Sequence, residues 1–495
     1  MILPLPLLQT VIVPLLSVPI IIVVAKTSGK YAGWIASIVL AYTTTLLLLT
    51  GIDLWNGVGP VSETYAWSSS VFNLEFGFLA DGLSLPVALV MNLACTAGAI
   101  YSYRYIEHRI HDLYQENANS MYAIYYSLFV LFPVGLLGVA FSTNLIAMYL
   151  FVEMALIPAY FLMDLFGYRD RHRIAIMYFI WNQVGAGLFL IGVVLATAGT
   201  GGSFAITALS AIAGTELGFW VTVLILLGWL IKMATFGFHV WLPYVHGEHL
   251  ANIAAIIATI LGLGSYVLVR VLAEQLLANF QLFSLPLMVL ALVTLVYGGL
   301  LTLAQDDVKR LFACSTISQT AYSLFGVASL SAMGMAGGIF YFLSHTLGKT
   351  ILLCVAGIIM MQTGVRDMNK MGGLAKKMPW TAALSVMGAM ILSAIPPMSG
   401  FQAEWILFTG AFQAVSLEGM MRFIIPIAGV LATFLTAAYT FWPVKRIFFG
   451  PLSDELEDVE EAPISMTAPL MVLALVSLLL GIYPDIVMRL LSTFF

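Results

Sequence analysis

Two stretches decide the fold of this chain: KMATFGFHVWLP at residues 232–243 and SAIPPMSGFQAE at residues 393–404. Each interrupts a long apolar run with glycine or proline and carries a charged side chain. Proline removes a backbone hydrogen bond, and glycine lowers the cost of opening a helix. Freed backbone groups are tolerated at membrane depth only inside protein or beside a water-filled cavity. The two stretches therefore predict two broken transmembrane helices with function at the breaks.

The chain around these stretches has the composition of an integral membrane protein. Of its 495 residues, 61% are hydrophobic and 9% are charged, whereas an average soluble domain has about 25% charged residues. A spanning helix needs about 20 apolar residues, so the length fits about 14 to 16 helices with short connections. The net charge of −5, without a basic tract, argues against nucleic acid as a partner.

We predict an all-α integral membrane fold with about fourteen spanning helices, called spans 1 to 14. They lie near residues 5–25, 31–50, 83–103, 121–140, 143–166, 174–198, 218–238, 250–274, 283–303, 309–329, 333–361, 381–411, 423–448 and 465–490. Residues 1–25 lack a basic n-region and a cleavage site, so we interpret them as span 1 rather than a signal peptide. Segment 203–214 is predicted to be a short interfacial piece.

The basic residues follow the odd-numbered spans. The connections after spans 1, 3, 5, 9, 11 and 13 contain Lys26, Lys30, Arg104, Arg109, Arg169, Arg171, Arg173, Lys309, Arg310, Arg366, Lys370, Lys376, Lys377, Lys445 and Arg446. The positive-inside rule then puts the odd connections in the cytoplasm and both termini outside it. Arg270, Arg422 and Arg489 do not follow this alternation and are expected to snorkel at helix ends.

The two broken helices are spans 7 and 12, five spans apart. An odd number of helices in a repeat forces the second copy to insert upside down, as in inverted-repeat transporters. We therefore predict two inverted five-helix repeats, spans 4–8 and spans 9–13. The chain then divides into an N-terminal three-helix segment (1–115), a first repeat (116–278), a second repeat (279–450) and an acidic loop with the C-terminal helix (451–495).

Five titratable residues lie inside the predicted spans: Glu153 in span 5, Lys232 before the break in span 7, His345 and Lys349 in span 11, and Glu404 after the break in span 12. A charge at the bilayer centre costs at least ~2.5–3.5 kcal/mol and is usually functional. Burial disfavours the charged form and a nearby opposite charge favours it, so a small movement can release a proton. These residues predict a proton-translocation path.

Four of these residues also have a structural interpretation. Glu153 and Lys232 could form a static buried ion pair. Lys349 could snorkel to an interface, and His345 could be a packing residue. The sequence leaves both interpretations open.

Four more titratable residues are weaker candidates. Three histidines near the end of span 7 have either a structural or a relay role: His239, His246 and His249. Asp164, near the end of span 5, is expected to pair with Arg169 or Arg173.

The three cysteines, Cys95, Cys314 and Cys354, lie in apolar runs without the spacing of metal ligands. We therefore expect no iron–sulfur cluster, zinc site or disulfide in this chain. No glycine-rich nucleotide motif follows a predicted strand. Any redox chemistry, with its cofactors, is expected in partner subunits.

Several motifs resemble the proton-translocating subunits of respiratory complex I, a family shared with multisubunit sodium/proton antiporters and membrane-bound hydrogenases. They are DGLSL at 81–85, FVEM at 151–154, AQDDVKR at 304–310, STISQ at 315–319, RDMNKMGGLAKKMP at 366–379 and GIYP at 481–484. The resemblance covers most of the chain and is weaker before residue 75.

Within this family, the M (chain 4) type carries a glutamate after the break in span 12, so Glu404 makes the chain similar to that type. The resemblance implies a coupled pair of Glu153 and Lys232, a central relay with His345 and Lys349, and a terminal proton site at Glu404. It also implies that the whole complex oxidises NADH or another donor and reduces quinone. Flavin, iron–sulfur clusters, L-like and N-like subunits and small membrane subunits are expected as companions, in a prokaryotic cell membrane.

The chain departs from the family pattern at two places. Ala234 and Gly237 replace two prolines that are usual in the break of span 7, and Gly262 stands where the family usually has a lysine in span 8. Bound water or one of two histidines, His246 or His249, could replace that amine. Besides the pump subunit, two hypotheses stay open: a subunit of an antiporter or membrane-bound hydrogenase, and an arm segment that has lost pumping.

Overall fold

The computed structural model describes residues 4–68 and 73–495, and this part of the chain is an α-helical bundle with one β-hairpin. The helices are α1 (Pro6–Thr27), α2 (Ala32–Trp55), α3 (Ser84–Leu113), α4 (Ala118–Phe141), α5 (Leu145–Phe166), α6 (Arg171–Ala196), α7 (Glu216–Lys232), α8 (Leu242–Glu248), α9 (Ala251–Val267), α10 (Leu277–Phe280), α11 (Ser284–Leu303), α12 (Val308–Ala328), α13 (Ala332–Thr363), α14 (Pro379–Leu392), α15 (Ser399–Ala411), α16 (Met421–Phe448), α17 (Ile464–Ile482) and α18 (Asp485–Leu491). The antiparallel hairpin pairs β1 (Val61–Ser68) with β2 (Asn73–Ala80). The predicted α-helical membrane fold is confirmed.

Every predicted span coincides with helical structure. In the described residues, eleven helices are long and apolar enough to cross a membrane, judged by length and composition. The other three predicted spans are the polar helix α12 and the two interrupted pairs, α7 with α8 and α14 with α15. The predicted interfacial piece is a short 3-10 helix at Ile206–Ile212. The number of actual membrane crossings stays a prediction.

The apolar side chains fall into an inner and an outer set. Helix α13 runs through the interior, where its apolar stretch is completely buried against α3, α9, α12, α14, α15 and α17. Large apolar residues are exposed on the outer helices, including Leu16, Ile38 and Phe434. An exposed apolar belt on a bundle of this composition is the surface that lipid or neighbouring subunits cover.

The first break begins where α7 ends, at Lys232. Ala234 adopts the left-handed conformation with a φ of 52°, and the Thr235 N–H donates to the Leu230 carbonyl across it at 3.3 Å. This bond satisfies a carbonyl that a helix end would otherwise leave free. The chain then forms a 3-10 turn at His239–Trp241 and enters α8.

The second break repeats this geometry 160 residues further along, from Ala234 to Ala394. Helix α14 ends at Leu392, Ala394 has the same φ of 52°, and the Ile395 N–H donates to the Met390 carbonyl at 2.9 Å. Both predicted breaks are therefore present, with the same backbone closure.

A second pair of matching features lies at the helix ends before the breaks. An isolated antiparallel bridge joins Asn144, which caps α5, to Ala205, and another joins Asp307, which caps α12, to Asp367. Each bridge is closed by two backbone hydrogen bonds of 2.9–3.0 Å. These equivalences support a duplicated chain, and the segment boundaries given above stay a prediction.

The hairpin is an addition that the sequence analysis did not predict. Glu63 on β1 accepts hydrogen bonds at 2.8 Å from the backbone N–H groups of Leu7 and Leu8, at the start of α1. A carboxylate at a helix N-terminus is stabilised by the unpaired amides there. Tyr65 donates to the same carboxylate at 2.8 Å, and burial together with Glu63 raises the pKa of that phenol. The hairpin thus anchors the N-terminal helix.

Arg270 is buried and does not snorkel, contrary to the prediction. It forms hydrogen bonds of 2.7 and 2.6 Å to both oxygens of Asp81 and one of 3.1 Å to Glu274. Its guanidinium also lies 4.8 Å from the ring centre of Phe494. The prediction was wrong because its partner, Asp81, is 189 residues away in the chain. The ion pair joins the N-terminal segment to the π-helical turn Leu268–Ala273 that follows α9, and the Phe494 ring adds a contact from the C-terminal residues.

We expect Arg270→Gln to lower the free energy of unfolding by about 3–5 kcal/mol, because Asp81 would keep an uncompensated charge in a largely buried place. Thermal unfolding of the detergent-solubilised protein measures the effect. Adding Asp81→Asn to that variant should restore part of the loss.

The control is Arg104→Gln at the exposed Arg104–Glu107 pair, which should change stability by less than about 1 kcal/mol. Equal effects at both pairs would contradict the anchoring role of Arg270.

Candidate functional site

The predicted titratable residues lie inside the bundle. Lys232 at the end of α7 is 3% exposed, His345 and Lys349 on α13 are 2% and 0% exposed, and Glu404 on α15 is 8% exposed. Glu153 on α5 is half-buried. Long polar side chains are rarely buried to this extent unless they are paired. The hydrogen-bond and ion-pair partners of each side chain therefore determine what it can do.

Lys232 and Glu153 are neighbours without being a direct ion pair. The Lys232 ammonium donates to the Asn182 carbonyl at 3.2 Å and interacts with the Glu153 charge through space. In the described part of the chain, Oε1 of Glu153 is buried without a hydrogen-bond partner. A cavity of about 20 Å³ beside Lys232, Asn182 and Tyr178 has room for one water. The geometry does not support a static, closed ion pair.

The equivalent place in the second half has no amine. Lys232 packs over Gly185 of α6 with its Cγ, and Leu392 packs in the same way over Gly348 of α13. Lys349, on α13, supplies the amine of this half instead.

Lys349 points into the bundle and does not snorkel. Its ammonium donates to the Phe312 carbonyl at 2.9 Å and to the Ser315 hydroxyl. No carboxylate lies within 4.0 Å of it among the described residues. His345 lies one helical turn earlier. In the described part of the chain, its Nε2 is buried and has no hydrogen-bond partner. Both groups are therefore placed for exchange with water or with each other.

The three histidines of the first break separate into different roles. Both ring nitrogens of His249 have partners. Its Nδ1 accepts from the Leu250 N–H at 2.9 Å, and its Nε2 lies 3.2 Å from the Ala159 carbonyl. His239 packs between Phe236 and Tyr297, with ring centres 5.8 and 4.7 Å away. Packing is thus the observed arrangement for both of these residues.

His246 on α8 is the exception. It is completely buried, and neither ring nitrogen has a hydrogen-bond partner within the described ranges. The ring lies in electrostatic range of Lys309, His345 and Lys349. Buried polar groups are normally hydrogen-bonded to protein or water, so both nitrogens of this ring are free to bind a water or another donor, as far as the described residues show.

Glu404 lies between a side groove and a buried polar network. The groove, of about 390 Å³, is lined by Glu404, Ser393 and several aromatic side chains, and the neighbouring Trp405 is 65% exposed. On the inner side, Glu404 interacts electrostatically with Tyr322 and Tyr341. The carboxyl group is therefore accessible from the edge of the bundle and from its centre.

The polar network beside Glu404 was missed in the sequence analysis. Tyr341 donates to Oε1 of Gln319 at 2.8 Å, and Nε2 of Gln319 donates to the Tyr439 hydroxyl at 2.7 Å. Tyr322 and Thr436 share a further hydrogen bond of 2.7 Å. The clustering of Ser315, Thr316, Ser318, Gln319 and Tyr322 on one predicted span was the available signal.

The absent lysine of span 8 has a physical explanation. A side chain at Gly262 on α9 would collide with the ring of Phe342 on α13, which fills this space. The structure therefore has no room for an amine there without a change at Phe342.

Asp164 pairs with a histidine and not with an arginine, contrary to the prediction. Its Oδ1 lies 2.7 Å from Nδ1 of His172, which is mostly exposed, at the start of α6. The predicted partners are only five and nine residues away, but helix α6 brings His172 closer. Asp164 belongs to the surface and not to the buried path.

The basic connections form a separate polar cluster at one face. Arg366 forms ion pairs of 3.0 Å with Glu248 and 2.7 Å with Asp307. Burial opposes the charge of Arg366, but these two acids outweigh it and raise its pKa. Lys309, expected in the solvent-exposed connection, is completely buried below this cluster.

The possible metal ligands are scattered in the described part of the chain. Among the described residues, no group of three His, Cys, Asp or Glu side chains could hold a metal ion. The three cysteines are free and buried. The buried side chains of Lys232, His246, His345, Lys349 and Glu404 can each donate or accept a proton.

Solved structures share this fold. A chain of the Mrp complex from Dietzia sp. DQ12-45-1b has a TM-score of 0.86 at 22% identity, covering 99% of this chain and 97% of that one. A chain of respiratory complex I from Thermus thermophilus has a TM-score of 0.85 at 23% identity, covering 99% and 98%. The membrane-bound sulfane sulfur reductase, an archaeal respiratory complex, has a chain with a TM-score of 0.84 at 23% identity, covering 98% and 78%.

Sequence relatives come from bacteria and archaea. NAD(P)H-quinone oxidoreductase chain 4 1 of Nostoc sp. is 29% identical over 490 residues, which cover 96% of this chain and 87% of the relative. The protein of the same name in Synechococcus elongatus is 31% identical over 402 residues, covering 80% and 72%. F(420)H(2) dehydrogenase subunit M of Methanosarcina mazei is 28% identical over 453 residues, covering 89% and 87%.

The family profile described as "NADH:quinone oxidoreductase/Mrp antiporter, TM" matches residues 142–436. This range is more than half of the chain and contains Glu153, Lys232, His246, His345, Lys349 and Glu404. The chain belongs to this family of multi-pass membrane subunits.

Proposed function

We propose that this chain is the proton-translocating membrane-arm subunit of a complex I-type oxidoreductase. The observation that carries the proposal is the series of buried titratable residues without direct counter-ions. Such groups are expensive at membrane depth and persist where they transport protons. The relatives named quinone oxidoreductase chain 4 and F(420)H(2) dehydrogenase subunit M support the redox setting.

In the first half, Glu153 and Lys232 act as the coupled pair. Their charges interact through space, and a cavity with room for about one water lies beside Lys232, so a shift or neutralisation of Glu153 weakens the hold on the Lys232 proton. A switch of this kind needs only a small movement of α5 against α7. The proton can then pass towards the second half.

In the second half, His246, His345 and Lys349 form the central relay. Unpaired ring nitrogens at His246 and His345 can bind water, and Lys349 already donates to a hydroxyl. His246 takes the place that the family lysine of span 8 would occupy, since Phe342 blocks that position. Glu404 is the terminal site, where protons leave or arrive at the edge of the bundle.

The chain supplies no redox centre in this proposal. Electron transfer through flavin and iron–sulfur clusters takes place in partner subunits, and charge changes there drive the relay. Neighbours in the membrane arm are L-like, N-like and small membrane subunits. The complex lies in a prokaryotic cell membrane, with the basic connections in the cytoplasm and both termini outside.

We expect Lys232→Ala to abolish proton translocation while the complex still assembles, because the switching amine is lost. Proton uptake by everted membrane vesicles, normalised to the amount of complex, is the measurement. The control is Lys376→Ala, which removes an exposed amine. Normal coupled turnover in Lys232→Ala would refute the proposal.

Glu404→Gln should likewise stop translocation, since an amide keeps the shape but cannot exchange a proton. Glu404→Asp should retain part of the activity. Glu418→Gln, at an exposed position, is the matched control. If Glu404→Gln translocates as well as the control, Glu404 is not the terminal site.

The likeness to the Mrp complex favours a second candidate, a sodium/proton antiporter subunit without a redox partner. A membrane-bound hydrogenase subunit is a further version of the redox-linked proposal. We expect the purified native complex to contain hydrophilic iron–sulfur proteins, identified by mass spectrometry. A complex made only of membrane proteins would favour the antiporter instead. An arm segment that has lost pumping predicts unchanged proton flux in Lys232→Ala.

A further inference from the structure

One buried amine has no part in the mechanism above. Lys309 lies in the first turn of α12, is 0% exposed, and donates to the His249 carbonyl. Its Nζ lies 4.5 Å from the centre of the Tyr168 ring. A lysine in a basic connection normally reaches solvent, so complete burial is unusual for this position.

The acids around Lys309 are already engaged. Glu248 and Asp307 both form ion pairs with the Arg366 guanidinium, at 3.0 Å or less. In the described residues, Lys309 has no carboxylate within 4.0 Å. The buried amine therefore depends on one carbonyl and one aromatic face, which hold a proton less firmly than a carboxylate does.

Lys309 lies between the surface and the central relay. On the outer side, the half-buried Tyr168 has its hydroxyl 2.5 Å from that of Tyr105. On the inner side, Lys309 is in electrostatic range of His246, which in turn is in range of Lys349. Helices α8 and α12, which carry His246 and Lys309, pack directly against each other.

We propose that Lys309 is a proton-exchange residue that passes protons between the face with the basic connections and His246. Tyr168 is the outer end of this route, and Lys349 lies beyond His246 at its inner end. The inference rests on the proposed function and adds to it a route between the relay and the water on this face.

A structural alternative exists for the same geometry. Lys309 donates to a carbonyl at the end of α8, so it could act only as a positively charged cap. Arginine would serve that purpose equally well, because it keeps the charge and the donors but does not give up its proton in proteins. Histidine can exchange protons near neutral pH. These two replacements separate the interpretations.

The test measures proton translocation per electron pair in everted vesicles, with NADH or reduced F420 as donor, whichever the native complex oxidises. We expect Lys309→Arg to assemble normally and to lose at least about tenfold in translocation. Lys309→His should retain translocation at acidic pH and lose it as the pH rises, because imidazole holds its proton less tightly than an amine. Lys376→Arg, an exposed substitution on the same face, should behave as wild type.

The pH profile depends on the titratable and charged groups that surround position 309. The charged groups are Arg109 of α3, Glu248 at the end of α8, Asp307 before α12 and Arg366 after α13. The other titratable groups are His246 of α8, His249 after α8, Cys354 of α13 and the phenol of Tyr168. All of them are retained in the variants, so a shifted profile in Lys309→His reports on the introduced imidazole.

Wild-type translocation in Lys309→Arg, with Lys232→Ala still inactive, would overturn this inference and leave the proposed function standing. Wild-type translocation in Lys232→Ala as well would overturn the proposed function. If the Lys309 variants fail to assemble, Tyr168→Phe tests the outer end of the route. It should reduce translocation several-fold, whereas Tyr114→Phe, which loses a 2.8 Å hydrogen bond to Leu165 in the same region, should not. Equal behaviour of the two tyrosine variants would overturn the route.

Discussion

Every backbone group inside a bilayer needs a hydrogen-bond partner within the protein, and an unmet one costs several kcal/mol. The two broken helices are the places where this chain comes closest to violating that requirement. Each end is closed by a hydrogen bond across a left-handed alanine, Ala234 or Ala394. Neighbouring helices cover each break only in part: Ala234 is fully buried, whereas Phe236 in the first break and Pro397 in the second are exposed. The charged side chains that flank the breaks, Lys232 and Glu404, are buried inside the bundle.

Duplication of the backbone has not duplicated the chemistry. Lys232 and Leu392 occupy matching places over Gly185 and Gly348, yet only the first is an amine. The second half carries its amine on α13 at Lys349. Its buried hydrogen bonds come from tyrosine, glutamine and serine side chains rather than from an acid beside an amine. The two halves therefore place different titratable groups near their breaks, an amine near an acid in the first and a carboxyl group near tyrosines in the second.

Much of this architecture could be predicted from sequence, since long apolar runs and Gly/Pro interruptions are local signals. Both breaks and the helices at the predicted span positions were identified in this way. Pairings between distant residues were not. Arg270 with Asp81 and Asp164 with His172 depend on how helices pack, and periodicity does not report packing. The burial of Lys309 was missed for the same reason, because a basic residue in a connection normally predicts exposure. The hairpin carried an alternating pattern that was overlooked beside the dominant helices.

The contact between Gly262 and the Phe342 ring has a consequence for the whole family. A long side chain on α9 and a bulky ring on α13 compete for one volume, so a chain can keep only one of them. In this chain, a lysine at position 262 would require a smaller residue at position 342. These two sites are expected to change together over evolutionary time, and their combination sorts family members into two classes. A comparison of sequences across genomes would show whether a lysine at the first position and an aromatic ring at the second ever occur together.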